Sequence, residues 1–447
     1  MNRYNAVFVL GVLWVLSGSV WAEEAHEATV VQAQKAYEQG LFQQVVDLVK
    51  PLQKELSSPS QVSRLYILAL ANLGKTPEAI ETYDKEVGVT KREDEPLLRQ
   101  MAIASILPLR SDMREQMRGA AYTALKEIES DNAVEYLENG LTDENGMIRT
   151  LVAEALGQRK AGQRSKLFRK ALKDEAGLVR ATVLIGLGQS GDVSLVPLIE
   201  PSLSDEQHLV QIAAARALYE LGHKQYWARL EQGAKSEEGY ERGAAIRAFG
   251  ELGDRRAIPI LEKTISDSQP SIRAAAIASL GKLKAPESLP TLKAMLFDRI
   301  PAVRSVAAFS MGYYEQHQVL TPLTRALADS NSGVQAAAVA SLLRSGAPYS
   351  VVRDTVQHLL NDQNPAIRSG AVKALGNGKG QDVLNALMVA LNDPLPRPRI
   401  GASRALGRIG DRTLLPALKR TLRDGDDAVR VTAAAAIVRI LDKEIGI

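Results

Sequence analysis

One phrase, written eleven times at a nearly constant spacing, constrains this chain more than anything else in it. At its clearest, Asp267 opens a turn, Arg273 follows six residues later, and Leu280 stands seven residues beyond that. The phrase starts at Asp112, Asp143, Asp174, Asp205, Ser236, Asp267, Asp298, Asp329, Asp362, Asp393 and Asp424. Successive starts lie 31 residues apart, except for 33 between Asp329 and Asp362. The arginine row runs through Arg118, Arg149, Arg180, Arg242, Arg273, Arg304, Arg368, Arg399 and Arg430, with Gln211 and Gln335 as its two exceptions. The apolar row reads Leu125, Leu156, Leu187, Leu218, Phe249, Leu280, Met311, Leu342, Leu375, Leu406 and Ile437. A fixed register of this kind specifies a repeat array, not a single compact core.

Each unit reads as two helices. The first is short, as in residues 257–265, and Gly253-Asp254 before it supplies a helix stop and an N-cap. Pro197, Pro259, Pro290 and Pro416 all sit eight residues before the next phrase start, where a first helical turn tolerates proline. The second helix carries the Arg. Counted from it as zero, positions −1, +3, +7 and +10 form one mostly apolar stripe. Alanine at +3 or +4 lets neighbouring helices approach.

From about residue 95 to the end, the chain resembles the HEAT-like repeats grouped with phycobilisome lyases. That resemblance implies an all-α, right-handed α-solenoid of about eleven units over residues 91–447. It also implies a ladder in which the turn Asp and the helix Arg link neighbouring repeats. A partly buried Asp–Arg fork gives bidentate, charge-assisted hydrogen bonds and fixes register. Asp267, Arg273, Asp298, Arg304, Asp362 and Arg368 are therefore expected to be structural. Gln211 and Gln335 should weaken the ladder locally. With the two-residue insertion around residues 345–351, Gln335 marks an expected soft joint near 335–350.

A different period precedes the array. Gly40 and Gly74 are 34 residues apart, each followed by a short apolar helix pattern, with Ala79 after the second. This resembles a pair of tetratricopeptide repeats over residues 23–90. Two such units are fewer than the three usually needed for independent stability, so the module should pack onto the helices that follow.

The ends and the composition bound the rest. Arg3, the apolar run Ala6–Val15 and Val20-Trp21-Ala22 read as a cleavable signal over residues 1–22. With no cysteine anywhere, thiolate catalysis, thiolate metal sites and disulfides are excluded. Signal and composition together point to a periplasm, with no membrane span after signal removal. The net charge of +3 is too mild to suggest nucleic acid.

Chemistry is hard to find. Deoxyhypusine hydroxylase, a HEAT-like relative, uses His-Glu pairs for iron, but here His26-Glu27 is the only such pair and lies outside the array. His208, His223, His317 and His358 stand alone at unrelated register positions. Gly376-Asn377-Gly378-Lys379-Gly380 lacks the strand and the Lys-Ser/Thr of a phosphate loop. No catalytic residue, cofactor or metal is expected.

The resemblance implies that second helices line the concave face, where +5 and +9 point away from the core. At +9 stand Glu127, Gln158, Gln189, Glu220 and Glu251, then Lys282, Tyr313, Arg344, Asn377, Arg408 and Arg439. At +5 stand Thr123, Glu154, Ile185, Arg216, Arg247, Ala278, Phe309, Ala340, Lys373, Arg404 and Ala435. The +9 row turns from acidic or neutral to basic where Phe309, Tyr313 and Tyr314 cluster. Phe309, Tyr313, Tyr314, Arg344, Lys373, Arg404, Arg408 and Arg439 are the expected partner-binding residues. The expected function is an exported, non-catalytic scaffold for a protein or peptide partner, and the basic half of the row suits an acidic one. The alternatives are an enzyme or accessory subunit of the lyase/hydroxylase grouping, or an envelope component that binds an anionic polymer.

Overall fold

The structure, a computed structural model, describes residues 27–52 and 61–445. The expected signal segment lies outside them. Among the described residues every regular element is helical. Helices at 27–38, Phe42–Val49, Gln61–Asn72 and Thr76–Thr90 come first. Eleven two-helix units follow, and their second helices run from Glu115–Glu127 to Asp427–Ile445. The chain is an α-solenoid.

The phrase shapes each unit from its turn outward. The Asp267 carboxylate accepts the Gln269 N–H at 2.8 Å, and Asp298 accepts the Ile300 N–H likewise at 2.8 Å. These Asx turns start the second helices. Six residues on, Arg273 donates back to the Asp267 carbonyl at 2.9 Å and forward to Asp298 at 2.9 and 3.0 Å. One arginine thus closes its own turn and grips the next. Eight such Arg–Asp forks run through the array, with Nε–Oδ2 distances of 2.6–2.9 Å.

The ladder stops where the register predicts weakness. Gln335 donates only to the Asp329 carbonyl, and its buried Oε1 has no partner. Asp362 is accordingly no rung. Its carboxylate accepts only the Asn364 N–H at 2.7 Å, because Gln335 is too short to reach across the two-residue insertion. At Gln211 the next repeat offers Ser236, so both partners are lost together. There Arg229 bridges Gln211 and the buried Glu241 at 2.9 and 2.7 Å.

Side chains between the helices are small or apolar. Ile272, Ala276 and Leu280 are buried, and Val303, Ala307 and Met311 repeat the pattern one unit on. A Cβ on Gly281 would come within 2.5 Å of Ser310 in the next repeat, so only glycine fits that approach. Gly253 at φ 68° makes the helix stop before Asp254, whose carboxylate caps Arg256 N–H at 3.0 Å.

The array does not remain an open arc. Its last helix, Asp427–Ile445, packs on the preceding second helix and also on Glu95–Ile106 and Glu115–Glu127 at the start. Val431, Thr432, Ala435, Val438 and Asp442 are all buried in it. Ion pairs tie the seam. Arg99 forks Asp442 at 2.6 and 3.2 Å, and Arg412 meets Glu95 at 3.0 Å. Arg114 holds Asp112 and Asp427 at 2.9 Å each, while Arg430 bonds Asp427, so the first and last units are linked through one relay.

The N-terminal helices complete the seam. Gln61–Asn72 packs against Glu95–Ile106. Asp84 then bonds Lys419 at 3.3 Å and Arg423 at 2.6 Å, and Glu93 bonds Lys419 at 2.5 Å. No described helix is long and apolar enough to cross a membrane.

Candidate partner-binding face

Across the seam Arg404 at +5 meets Glu127 at +9. The expectation that +5 points away from the core fails at Arg216, Ala340 and Ala435, which are buried among neighbouring helices. Arg247 and Arg408 are open to solvent. Burial nonetheless pushes the guanidinium pKa of both downward, because protein surrounds them on several sides.

At the centre of the row, Phe309 is 36% exposed and meets Tyr313 edge-on, ring centroids 6.2 Å apart. Arg344 lies over both rings, 4.1 Å from the Phe309 centroid and 5.0 Å from that of Tyr313. A guanidinium on an aromatic face is held by the ring quadrupole and stays planar and exposed along one edge. Its Nη2 donates to Asn377 at 2.6 Å, whereas the buried Nη1 has no partner. Burial lowers its pKa. Arg408 approaches the same helix end from the far side and donates to the Gly376 carbonyl at 2.7 Å. Two arginines, from repeats on either side, therefore converge on residues 376–377.

Three of the expected partner residues stand differently from the sequence reading. Tyr314 is buried, and its hydroxyl donates to the Ala285 carbonyl at 3.1 Å. It occupies +10 on the core stripe, so it supports the fold and offers nothing to a partner. Arg404 and Arg439 reach across the seam to Glu127 and Glu129. They line a cavity of about 550 Å³ with Thr123, Gln158 and Arg159. Burial raises the Glu127 pKa, and Arg404, Arg439 and Arg408 oppose that rise. Lys373 is exposed. The acidic start and the basic end of the +9 row thus meet at the seam. That meeting needs closure, which the linear register cannot express.

One group among the described residues has the makings of a metal site: His208, Glu238 and Glu241. His208 Nδ1 lies 3.1 Å from Glu238 and 3.3 Å from Glu241. The Arg229 guanidinium already holds the other oxygen of Glu241, and the group fills the ladder gap at Gln211 and Ser236. Its evident role is to join two repeats that lack the usual fork. The expected His26-Glu27 pair falls at the edge of the described residues, with His26 outside them.

The chain's similarities to solved structures are distant. Human deoxyhypusine hydroxylase is 19% identical over 58% of this chain and 98% of its own, with a TM-score of 0.31. The Escherichia coli protein YibA is 24% identical over 56% of this chain and 95% of its own, with a TM-score of 0.35. The CpcE–CpcF phycocyanin lyase complex of Nostoc sp. PCC7120 is 17% identical over 58% of this chain and 92% of the matched chain, TM-score 0.35. At these TM-scores the likenesses carry no argument about this chain. No curated protein matches the chain. The family model described as HEAT repeats matches residues 165–242, 227–302 and 352–439, together just over half of the sequence. With that match and the two-helix units that carry it, the chain belongs to the HEAT-repeat family.

Proposed function

We propose that this HEAT-repeat protein is an exported, non-catalytic scaffold whose inner face holds an acidic segment of a protein partner. Charge pairing on that face carries the reading. The +5 and +9 positions hold eight cations and four carboxylates. All four carboxylates are matched: Glu127 to Arg404, Glu154 to Lys126, Glu220 to Arg216 and Glu251 to Lys282. Among the described residues, Arg247, Arg344, Lys373 and Arg408 make no ion pair with a carboxylate, and only Arg408 feels the field of Glu127, although the whole chain is only +3. Phe309 and Tyr313 beside Arg344 supply apolar anchor area of the kind that dominates binding energy. Cations held without an ion-pair partner speed association with acidic partners and set the register of docking.

Export rests on the sequence at residues 1–22 and on the lack of cysteine. A phosphatase fusion after residue 30 tests it, since the reporter folds only outside the cytoplasm.

Binding is tested with fluorescein-labelled polyglutamate and the purified chain. Saturable, salt-dependent binding is expected, and Arg344→Glu with Lys373→Glu and Arg408→Glu together should abolish it. Unchanged affinity and salt slope in that triple variant would refute the inner-face reading.

A further inference from the structure

A second feature departs from the repeat code on the outer layer of the array. The residue just before each phrase start is exposed in all eleven repeats: Ser111, Thr142, Lys173, Ser204, Lys235, Ser266, Phe297, Ala328, Asn361, Asn392 and Arg423. Ten are polar or small. Phe297 is the exception, and it is 81% exposed. The fold gives no reason for an aromatic ring there, since ten other units do without one.

The residue just after the phrase start varies among repeats. Glu144, Glu175 and Glu206 approach the arginines of the ladder at 3.0–3.6 Å, whereas Met113, Ser268, Ser330, Gln363, Pro394 and Gly425 carry no charge. Arg299, in the same repeat as Phe297, is the one cation in that row. The ladder forms without a charge at this position in other repeats, as beside Asp329 and Asp393, so it does not require Arg299.

Phe297 and Arg299 border a cavity of about 800 Å³ between the outer helices Leu289–Ala294 and Gln316–Ala326. Leu296 and Pro322 add apolar surface, and Lys293 and Arg325 add charge. The lining carboxylates, Asp298 and Asp329, are locked in forks to Arg273 and Arg304 at 2.9 and 2.8 Å. Among the described residues Lys293, Arg299 and Arg325 have no ion-pair partner. The cavity therefore offers an apolar floor within a basic rim. A volume of several hundred cubic ångströms is what a seated side chain and its flanks require.

We propose that this outer cavity is a second docking site, which takes a protein segment bearing aspartate or glutamate on both sides of one large apolar side chain. The apolar residue packs on Phe297, Leu296 and Pro322, and the flanking carboxylates meet Lys293, Arg299 and Arg325. The site is separate from the inner face and does not depend on it.

The test pans phage-displayed random dodecapeptides on the full-length protein, with depletion on the doubly substituted Phe297→Ala/Arg299→Glu protein. Enriched peptides should carry acidic residues around Leu, Ile or Phe. A fluorescein-labelled winner should bind Phe297→Ala about tenfold more weakly. It should bind Arg299→Glu/Arg325→Glu more weakly still, and bind Arg344→Glu with unchanged affinity. Phe297, Arg299 and Arg325 lie on the surface and Arg344 is half-buried; an unchanged melting temperature shows that each variant remains folded. No enrichment over the depleted pool, uncharged or basic winners, or equal affinity for all variants overturns the proposal. Winners that fail on Arg344→Glu but not on Phe297→Ala also overturn it, while supporting the inner face.

Discussion

Arg99 and Asp442, separated by 343 residues in sequence, form a two-pronged ion pair that fastens the last helix of the array to the first. The carboxylate is 9% exposed and the guanidinium 19%. Truncating one partner leaves a charge buried without compensation, at a cost of about 3 kcal/mol. Asp442→Ala should therefore raise hydrogen exchange in residues 95–127 and 427–443 and leave the central repeats protected. Uniform loss of protection across the array, or none at all, would contradict a local latch.

The forks make the array sensitive to acid. Hydrogen bonds from Arg273, Arg304 and Arg368 hold the carboxyls of Asp298, Asp329 and Asp393 below the ordinary aspartate value. A depressed folded pKa gives stability that is full above the unfolded value, about 3.9, and is lost as pH falls through the folded one. The melting temperature should change little between pH 7 and 5 and drop below about pH 4. The paired replacement Arg273→Gln with Asp298→Asn should reduce that acid slope. If the slope is unaltered, these forks are not its source.

Tyr314 and Phe309 should separate fold from recognition. Tyr314→Phe removes the buried hydrogen bond to Ala285 and should cost about 1 kcal/mol in urea unfolding without touching polyglutamate affinity. Phe309→Ala should do the reverse, with near-wild-type stability and weaker binding. Equal effects of both changes on binding would place Tyr314 on the partner face after all.

The missing rung at Gln335 should appear as mobility. With no fork to Asp362 and a buried Oε1 left unpartnered, residues 335–352 should exchange amide hydrogens faster than the flanking second helices at 301–311 and 365–375. Protection equal to the flanks would count against a joint.

Much of this molecule can be read from its register. The spacing of Asp267, Arg273 and Asp298 contains the turn, the helix and the inter-repeat fork, because each is a local geometry repeated at fixed distance. Tyr314 shows how the reading slips. The stripe rule puts +10 inside, but adjacency to Tyr313 in sequence suggested a shared surface. Closure was the larger omission, although its signal was present. The last helix carries Ala435 at +5 and apolar residues on nearly every side, where a terminal repeat needs a polar outer face. Which early helix covers it depends on the summed rotation per repeat, and that is absent from any single unit.

Closure also fixes how many units the protein can have. An open solenoid gains or loses a repeat at modest cost, because only nearest neighbours are affected and a new end is easily capped. Here each unit between residues 112 and 445 has a neighbour on both sides, and the sum of their rotations must return the chain to Glu95–Ile106. Deleting one 31-residue unit would leave Arg99, Arg114 and Arg412 facing the wrong height of the last helix. Evolution of this array by unit duplication is therefore barred unless the seam changes with it, while substitution within units stays free.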